Sequence, residues 1–271
     1  MTPAPSPLRI SGAALRRGTR ELWSGLDLEL APGELVAVLG PSGSGKTTLL
    51  RAILGLERLS EGSVTALGRR VTRPGNRRIG YIPQQRPLPR ETSLRARDLV
   101  GLGVDGHRFG LPIPRRGDRA RIDALLGEVG AAAFADRPVG LLSGGEQQRL
   151  RVGQALADDP KLLLCDEPLT SLDLANQQAI VSLIDRHRRE KDAAVLFVTH
   201  DINPVLDSVD RILYLAGGRF TLGRPADVLD SAVLSELYGA PVFVLRAGDR
   251  LVVVGAPDAE ASPHHHGEEH G

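Results

Sequence analysis

One octapeptide constrains this chain more than any other feature: Gly40-Pro41-Ser42-Gly43-Ser44-Gly45-Lys46-Thr47, continued by Thr48. It follows the apolar run Leu35-Val36-Ala37-Val38-Leu39 and leads into Lys46 to Leu54, whose spacing predicts a helix starting inside the loop. A buried strand, a glycine loop and a helix N-terminus, in that order, aim backbone N–H groups at anionic oxygens. Lys46 is expected to pair with β- and γ-phosphates, and Thr47 to give a hydroxyl ligand to Mg²⁺. The context makes this a nucleotide-binding site.

A second run, Leu162-Leu163-Leu164-Cys165-Asp166-Glu167-Pro168, reads as another buried strand that ends in two carboxylates. Asp166 is placed to hold Mg²⁺, and Glu167 to polarise an attacking water. A solvated Asp-Glu turn is the bland alternative, and the phosphate loop upstream weighs against it. A phosphate loop alone admits kinases, GTPases and many ATPases; the carboxylate pair narrows the field.

Composition sets the outer bounds. At 271 residues the chain can bury one sizeable core plus a subdomain. With 34 Lys+Arg against 33 Asp+Glu, it offers no bulk electrostatic case for nucleic acid. No apolar span of about 18 residues occurs, so the chain is expected not to cross a membrane by itself. The single cysteine, Cys165, excludes an intrachain disulfide framework, fits a reducing compartment and reads as a small buried hydrophobe.

The organisation is that of an α/β protein. Residues 1–7 read as a flexible N-terminus. Residues 8–83 are sheet-rich: Leu26, Leu28 and Leu30 share one face, and Pro32-Gly33 makes a turn. Residues 86–160 change character. Glycine, proline and arginine cluster from Arg86 to Arg121, then helical spacing appears over Arg121 to Val129 and Gly145 to Leu156. This reads as a helical subdomain inserted into the core. Strand (Leu162–Cys165), helix (Asn176–Glu190) and strand (Ala194–Thr199) then form a βαβ pattern, followed by a strand over Arg211–Leu215 and a Gly217-Gly218 turn. The main domain is expected over 8–240, a closing strand pair over 241–256, and a polar, disordered histidine-bearing tail over 257–271.

The chain resembles the ATP-binding subunits of ABC transporters, from about Leu8 to Gly239. Six motifs carry the resemblance. Gly40–Thr47 matches the Walker A loop and the run ending in Asp166-Glu167 matches Walker B. Leu142-Ser143-Gly144-Gly145-Glu146 matches the family's signature sequence. Gln84 matches its Q-loop, Ser171-Leu172-Asp173 its D-loop, and His200 its switch histidine. The fold implied is a phosphate-loop NTPase core with an antiparallel β subdomain and an inserted helical subdomain.

The same resemblance implies roles. ATP and Mg²⁺ would be the nucleotide and metal, with Gln84 joining Thr47 and Asp166 around Mg²⁺. Glu167 and His200 would orient the water. The signature residues would contact ATP held by a second copy, so two chains would pack head to tail with Asp173 across the interface. Integral membrane permease subunits would be the direct partners and an extracytoplasmic solute-binding protein an indirect one. The chain would lie peripherally on the cytoplasmic face of the membrane.

One position departs from the family pattern. Where an aromatic residue usually stacks on adenine, this chain has Arg17. A guanidinium plane can stack on a purine, and a solvated basic loop is the other reading. Trp23, nearby, is expected in the core. Arg86, Arg90, Arg95 and Arg97 around Pro87 and Pro89 offer a basic face near Gln84, either for a partner or for solvent.

For the cargo, Ser93–Val100 and Leu237-Tyr238-Gly239 resemble the zinc/manganese and iron-chelate branches. His264, His265, His266 and His270, with Glu268 and Glu269, supply Zn²⁺-type ligands, with an idle tail or tag remnant as the alternative. A zinc or manganese importer is the leading expectation. Importers of iron-siderophore, haem or cobalamin are the neighbouring reading, and an exporter or a non-transport ABC ATPase stands further off.

Overall fold

A computed structural model describes residues 6–84, 88–106, 116–248 and 250–255. Residues 1–5 of the N-terminal stretch read as flexible over 1–7, Arg86 and Pro87 of the basic face, and the histidines of the tail lie outside these residues.

Two sheets share the first half of the chain. Strands β1 (Leu8–Arg17) and β2 (Arg20–Leu30) pair antiparallel, with Leu8 opposite Leu30 and Ile10 opposite Leu28. The alternation Leu26, Leu28, Leu30 buries one face of β2 and leaves Asp27 and Glu29 in solvent, as a half-buried strand requires. Strand β3 (Leu35–Leu39) is buried at every residue and belongs to the second, mainly parallel sheet. Helix α1 (Lys46–Ile53) follows the glycine loop and buries Leu49, Leu50, Ala52 and Ile53. Strands β4 (Glu61–Ala66) and β5 (Arg69–Arg70) complete the first sheet in the order β2-β1-β4-β5, all antiparallel.

Strand β6 (Ile79–Ile82) returns to the parallel sheet. Three helices then follow: α2 (Ala96–Asp105), α3 (Arg116–Glu128) and α4 (Gly144–Leu156). Helix α2 stands inside the cluster of glycine, proline and arginine, ahead of the helical spacing read from Arg121. Its glycines are a contact surface rather than breakers: a Cβ on Gly103 would fall 2.3 Å from the Gln154 carbonyl oxygen of α4.

Strand β7 (Leu162–Asp166), helix α5 (Leu174–Lys191) and strand β8 (Ala194–Val198) form the βαβ unit. Strands β9 (Arg211–Ala216) and β10 (Arg219–Gly223) make a hairpin whose turn, Gly217-Gly218, has φ of 57° and 78°. The sheet order is β10-β9-β3-β8-β7-β6, so the glycine loop leaves from a central strand flanked by β8 and β9. Helices α6 (Pro225–Val228) and α7 (Ser231–Tyr238) lead to a separate hairpin, β11 (Phe243–Ala247) with β12 (Arg250–Val254).

The parallel sheet separates two cores. One lies between it and the antiparallel sheet and contains Trp23, Leu49, Ile53, Leu162 and Leu196. The other lies on the opposite face and takes in Ile82, Val100, Leu150, Cys165, Phe197 and Leu237. This is the α/β architecture expected of a phosphate-loop NTPase with an antiparallel β subdomain and inserted helices. No helix among the described residues is long and apolar enough to cross a membrane.

Candidate functional site

The site is assembled where the C-terminal ends of β3, β7 and β8 meet, the usual position for ligands in open α/β sheets. Gly40, Gly43 and Gly45 have φ of 139°, 75° and 95°, conformations that L side chains rarely adopt. A Cβ on Gly40 would lie 2.0 Å from the Leu215 carbonyl oxygen, and one on Gly45 2.8 Å from Trp23 Nε1. Trp23 is fully buried, and its ring edge is the wall against which the loop is pressed.

Inside the loop, the Lys46 ammonium donates to the carbonyls of Gly40 (2.7 Å) and Pro41 (2.9 Å). Burial lowers its pKa from the usual lysine value, against the pull of Glu167 and Asp166. Ser44 is buried too, and its hydroxyl has no hydrogen-bond partner among the described residues. A cradle closed to side chains, with a buried cation and an unpartnered hydroxyl, suits phosphate oxygens.

The strands supply the rest. Thr47 Oγ1 donates to Asp166 Oδ1 (2.9 Å), and Tyr81 Oη donates to Asp166 Oδ2 (3.1 Å). Burial raises the Asp166 pKa, while these two hydrogen bonds oppose the rise. Burial, and then the charge of Asp166, push the Tyr81 phenol up to about 12, so it remains a donor. Thr47 and Asp166 present hard oxygen donors side by side, a set that fits Mg²⁺.

Glu167 sits just beyond β7 with φ of 47°, a strained conformation for a non-glycine residue of the kind found at functional sites. Its N–H is fixed by the Val198 carbonyl (3.0 Å). Three neighbours converge on its Oε2: Gln84 Nε2 (3.1 Å), Thr170 Oγ1 (3.3 Å) and His200 Nδ1 (3.8 Å). Gln84, Glu167 and His200 come from three strand ends, so the sheet brings together residues far apart in sequence.

Arg17 lines the cavity of about 470 Å³ over the loop, beside Ser42, Gly43, Lys46, Thr48 and Glu167. Arg20 and Arg51 line it too, basic residues that no sequence motif marks. The signature does not line it. Ser143 instead caps α4: its hydroxyl accepts from Glu146 N (3.3 Å), and Glu146 Oε2 accepts from Ser143 N (2.7 Å).

The signature helix is nonetheless wired to the other motifs. The Gln147 side chain accepts from Leu88 N (3.1 Å) and donates to the Val139 and Leu142 carbonyls, tying the segment after Gln84 to Leu142. Asp173 caps α5 by accepting from Asn176 N (2.8 Å), and Asn176 Oδ1 accepts from Arg149 Nη2 (2.8 Å). Gly145 makes room for Asn176, since a Cβ there would lie 2.5 Å from the Asn176 side chain. Arg90, Arg95 and Arg97 stand apart from the nucleotide cavity, and Arg95 and Arg97 pair with Asp98 and Asp136.

Sequence reasoning missed Tyr81, Thr170 and Gln147. Tyr81 is recoverable in hindsight from its place three residues before Gln84 on a strand. Thr170 and Gln147 carry no comparable signal, because their partners are set by loop geometry.

Comparison with known proteins places the chain among relatives of one family. A family profile described as "ABC transporter" matches residues 23–170. The zinc import ATP-binding protein ZnuC of Cereibacter sphaeroides is 38% identical over 226 residues, covering 83% of this chain and 86% of the relative. The sulfate/thiosulfate import ATP-binding protein CysA of Nocardia farcinica is also 38% identical, over 229 residues, but this chain spans only 66% of its length. Among solved structures, an inward-facing metal-chelate type ABC transporter aligns with a TM-score of 0.77 at 27% identity, covering 92% of this chain and 96% of that one. The ADP conformation of MJ1267, an ATP-binding cassette of an ABC transporter, aligns at 0.73 with 20% identity and shares the fold, covering 86% and 97%. Motifs, fold and relatives agree: the chain belongs to the ABC transporter family, as one of its transport-coupled ATPases.

Proposed function

We propose that this chain is the ATP-hydrolysing subunit of a membrane importer whose cargo is a metal ion, zinc or manganese. The convergence of Gln84, Thr170 and His200 on one oxygen of Glu167, beside the Thr47–Asp166 pair, carries the hydrolytic reading. Lys46 and the loop amides would hold the β- and γ-phosphates. Thr47 and Asp166, with Gln84 nearby, would hold Mg²⁺, which when bound neutralises phosphate charge. Glu167 would accept a proton from the attacking water, and His200 would hold that carboxylate and the γ-phosphate in register. Arg17 would stack on the adenine. Leu142 to Glu146 would meet the ATP of a second copy, with Asp173 across the same interface. The proposed partners are permease subunits in the membrane, with this chain on its cytoplasmic side.

The zinc-import relative, covered over 86% of its length, and the metal-chelate type neighbour support a metal cargo. A second reading, sulfate import, rests on a relative of the same identity covered over 66%. Carriage of an iron chelate or cobalamin remains the neighbouring reading within the metal-chelate group. The Zn²⁺-type tail of His264, His265, His266 and His270 would buffer or sense the metal.

Uptake of Zn²⁺, Mn²⁺, ferric chelate, cobalamin and sulfate in a strain lacking this chain decides among them. Loss of Zn²⁺ or Mn²⁺ uptake alone, restored by the parent and not by Glu167→Gln, supports the proposal. Selective loss of sulfate, ferric chelate or cobalamin uptake moves the cargo to that class. Glu167→Gln should retain ATP binding and lose turnover by about 10²-fold or more. Hydrolysis by that variant at the parent rate would overturn the role of Glu167.

A further inference from the structure

The hairpin β11–β12 takes no part in the nucleotide cavity, yet it touches the loop that carries His200. Its inner residues Val244, Leu251 and Val253 are half-buried against the main core. Val244 N donates to Ser231 Oγ (2.9 Å), which fixes the hairpin to α7. Leu251 pairs with Arg246 across the hairpin, and both its main-chain groups turn outward to a single side chain. Leu251 N donates to Asn203 Oδ1 (2.7 Å), and Asn203 Nδ2 donates to the Leu251 carbonyl (3.0 Å). A primary amide offers one donor and one acceptor side by side, as a neighbouring strand would, so Asn203 caps this strand edge.

From Asn203 the bonds run back to the histidine. Asn203 N (2.9 Å) and Nδ2 (2.7 Å) both donate to Asp201 Oδ1. Buried Thr199 accepts from Asp201 N (3.1 Å) and donates to the Asp201 carbonyl (2.7 Å) through one hydroxyl. His200 is therefore flanked by two pinned residues. Its own side chain is 64% exposed and reaches Glu167 Oε2 only at 3.8 Å. A side chain so loosely held must be placed by its backbone.

We infer that the C-terminal hairpin is a positioning element for His200, and that Asn203 is the positioning residue that transmits it. The inference rests on the hydrolytic role assigned to His200 above. Lifting β12 from Asn203 frees the loop and slows hydrolysis while leaving the phosphate loop intact.

The test is steady-state ATP hydrolysis by the parent chain and five variants. These are His200→Ala, Asn203→Ala, Leu251→Pro and the pairs Asn203→Ala/Leu251→Pro and His200→Ala/Asn203→Ala. Leu251→Pro removes the N–H that faces Asn203, at an edge where proline is tolerated. Asn203→Ala and Leu251→Pro should each lower kcat about tenfold with KM for ATP within about twofold, and together lower it no further. In the His200→Ala background, Asn203→Ala should change nothing more. If the losses multiply in either pairing, the effect is one of folding and the coupling is overturned, because a loss of folded protein acts equally in every background. Parent-rate hydrolysis by Asn203→Ala overturns the coupling alone. Parent-rate hydrolysis by His200→Ala overturns the role of the histidine and the coupling with it.

Discussion

Asp166 is held by two hydroxyls at a depth where burial penalises the charged carboxylate. Its pKa is raised by burial, so the folded chain binds that proton more tightly than the unfolded one. The contribution to stability is then greatest at low pH and is lost as pH rises through the carboxylate range toward the raised value. Asp166→Asn cannot ionise, so its gain in thermal midpoint over the parent should be larger at pH 7 than near about pH 4. A gain that ignores pH would show that ionisation is not what the fold resists. Lys46→Ala should act differently and lose ATP binding itself, read by equilibrium titration, since the buried ammonium is the charge at the centre of the loop. The motif residues were legible because their chemistry requires particular residue types at fixed spacing. Tyr81 and Thr170 were not, because a tyrosine on a strand or a threonine in a loop is explained equally well by packing.

Helix α2 shows where reading element by element breaks down. Gly101 and Gly103 look like interruptions, yet the helix runs through both, and Gly103 lets the backbone of α4 approach. Propensity and packing therefore make opposite predictions at two helical glycines. A Cβ on Gly127 in α3 would meet nothing within 4 Å, so Gly127→Ala should stabilise by about 0.5–1 kcal/mol. Gly103→Ala drives a methyl into the Gln154 carbonyl and should destabilise by about 1–3 kcal/mol. Urea unfolding of the pair checks both signs, and stabilisation by Gly103→Ala would mean that α2 and α4 are not closely packed. Fully buried strands such as β3, β7 and β8 were legible as short apolar runs. Elements whose helicity depends on a neighbour, as α2 depends on α4, carry too little local signal.

For the whole molecule, the signature poses a geometric question. Leu142 to Glu146 start a helix whose first turn is a capping box, and none of them lines the cavity over Lys46. If these residues touch ATP, a second copy must supply them, which makes the nucleotide part of an isologous interface. The cargo is not legible from this chain for a related reason: the residues that hold ATP serve every cargo alike, as relatives named for zinc and for sulfate at equal identity illustrate. The dimer, by contrast, can be tested on the chain alone. Glu167→Gln with ATP and Mg²⁺ should elute at twice the chain mass, and with ADP at the chain mass. Adding Ser143→Arg should abolish the dimer, since a long side chain at the helix start fills the space the partner's phosphates would occupy. ATP affinity measured on dilute, monomeric chain should stay within about threefold, because Ser143 lies outside its own chain's cavity. Persistence of the ATP-bound dimer in the double variant would place the signature outside the interface and refute the head-to-tail arrangement.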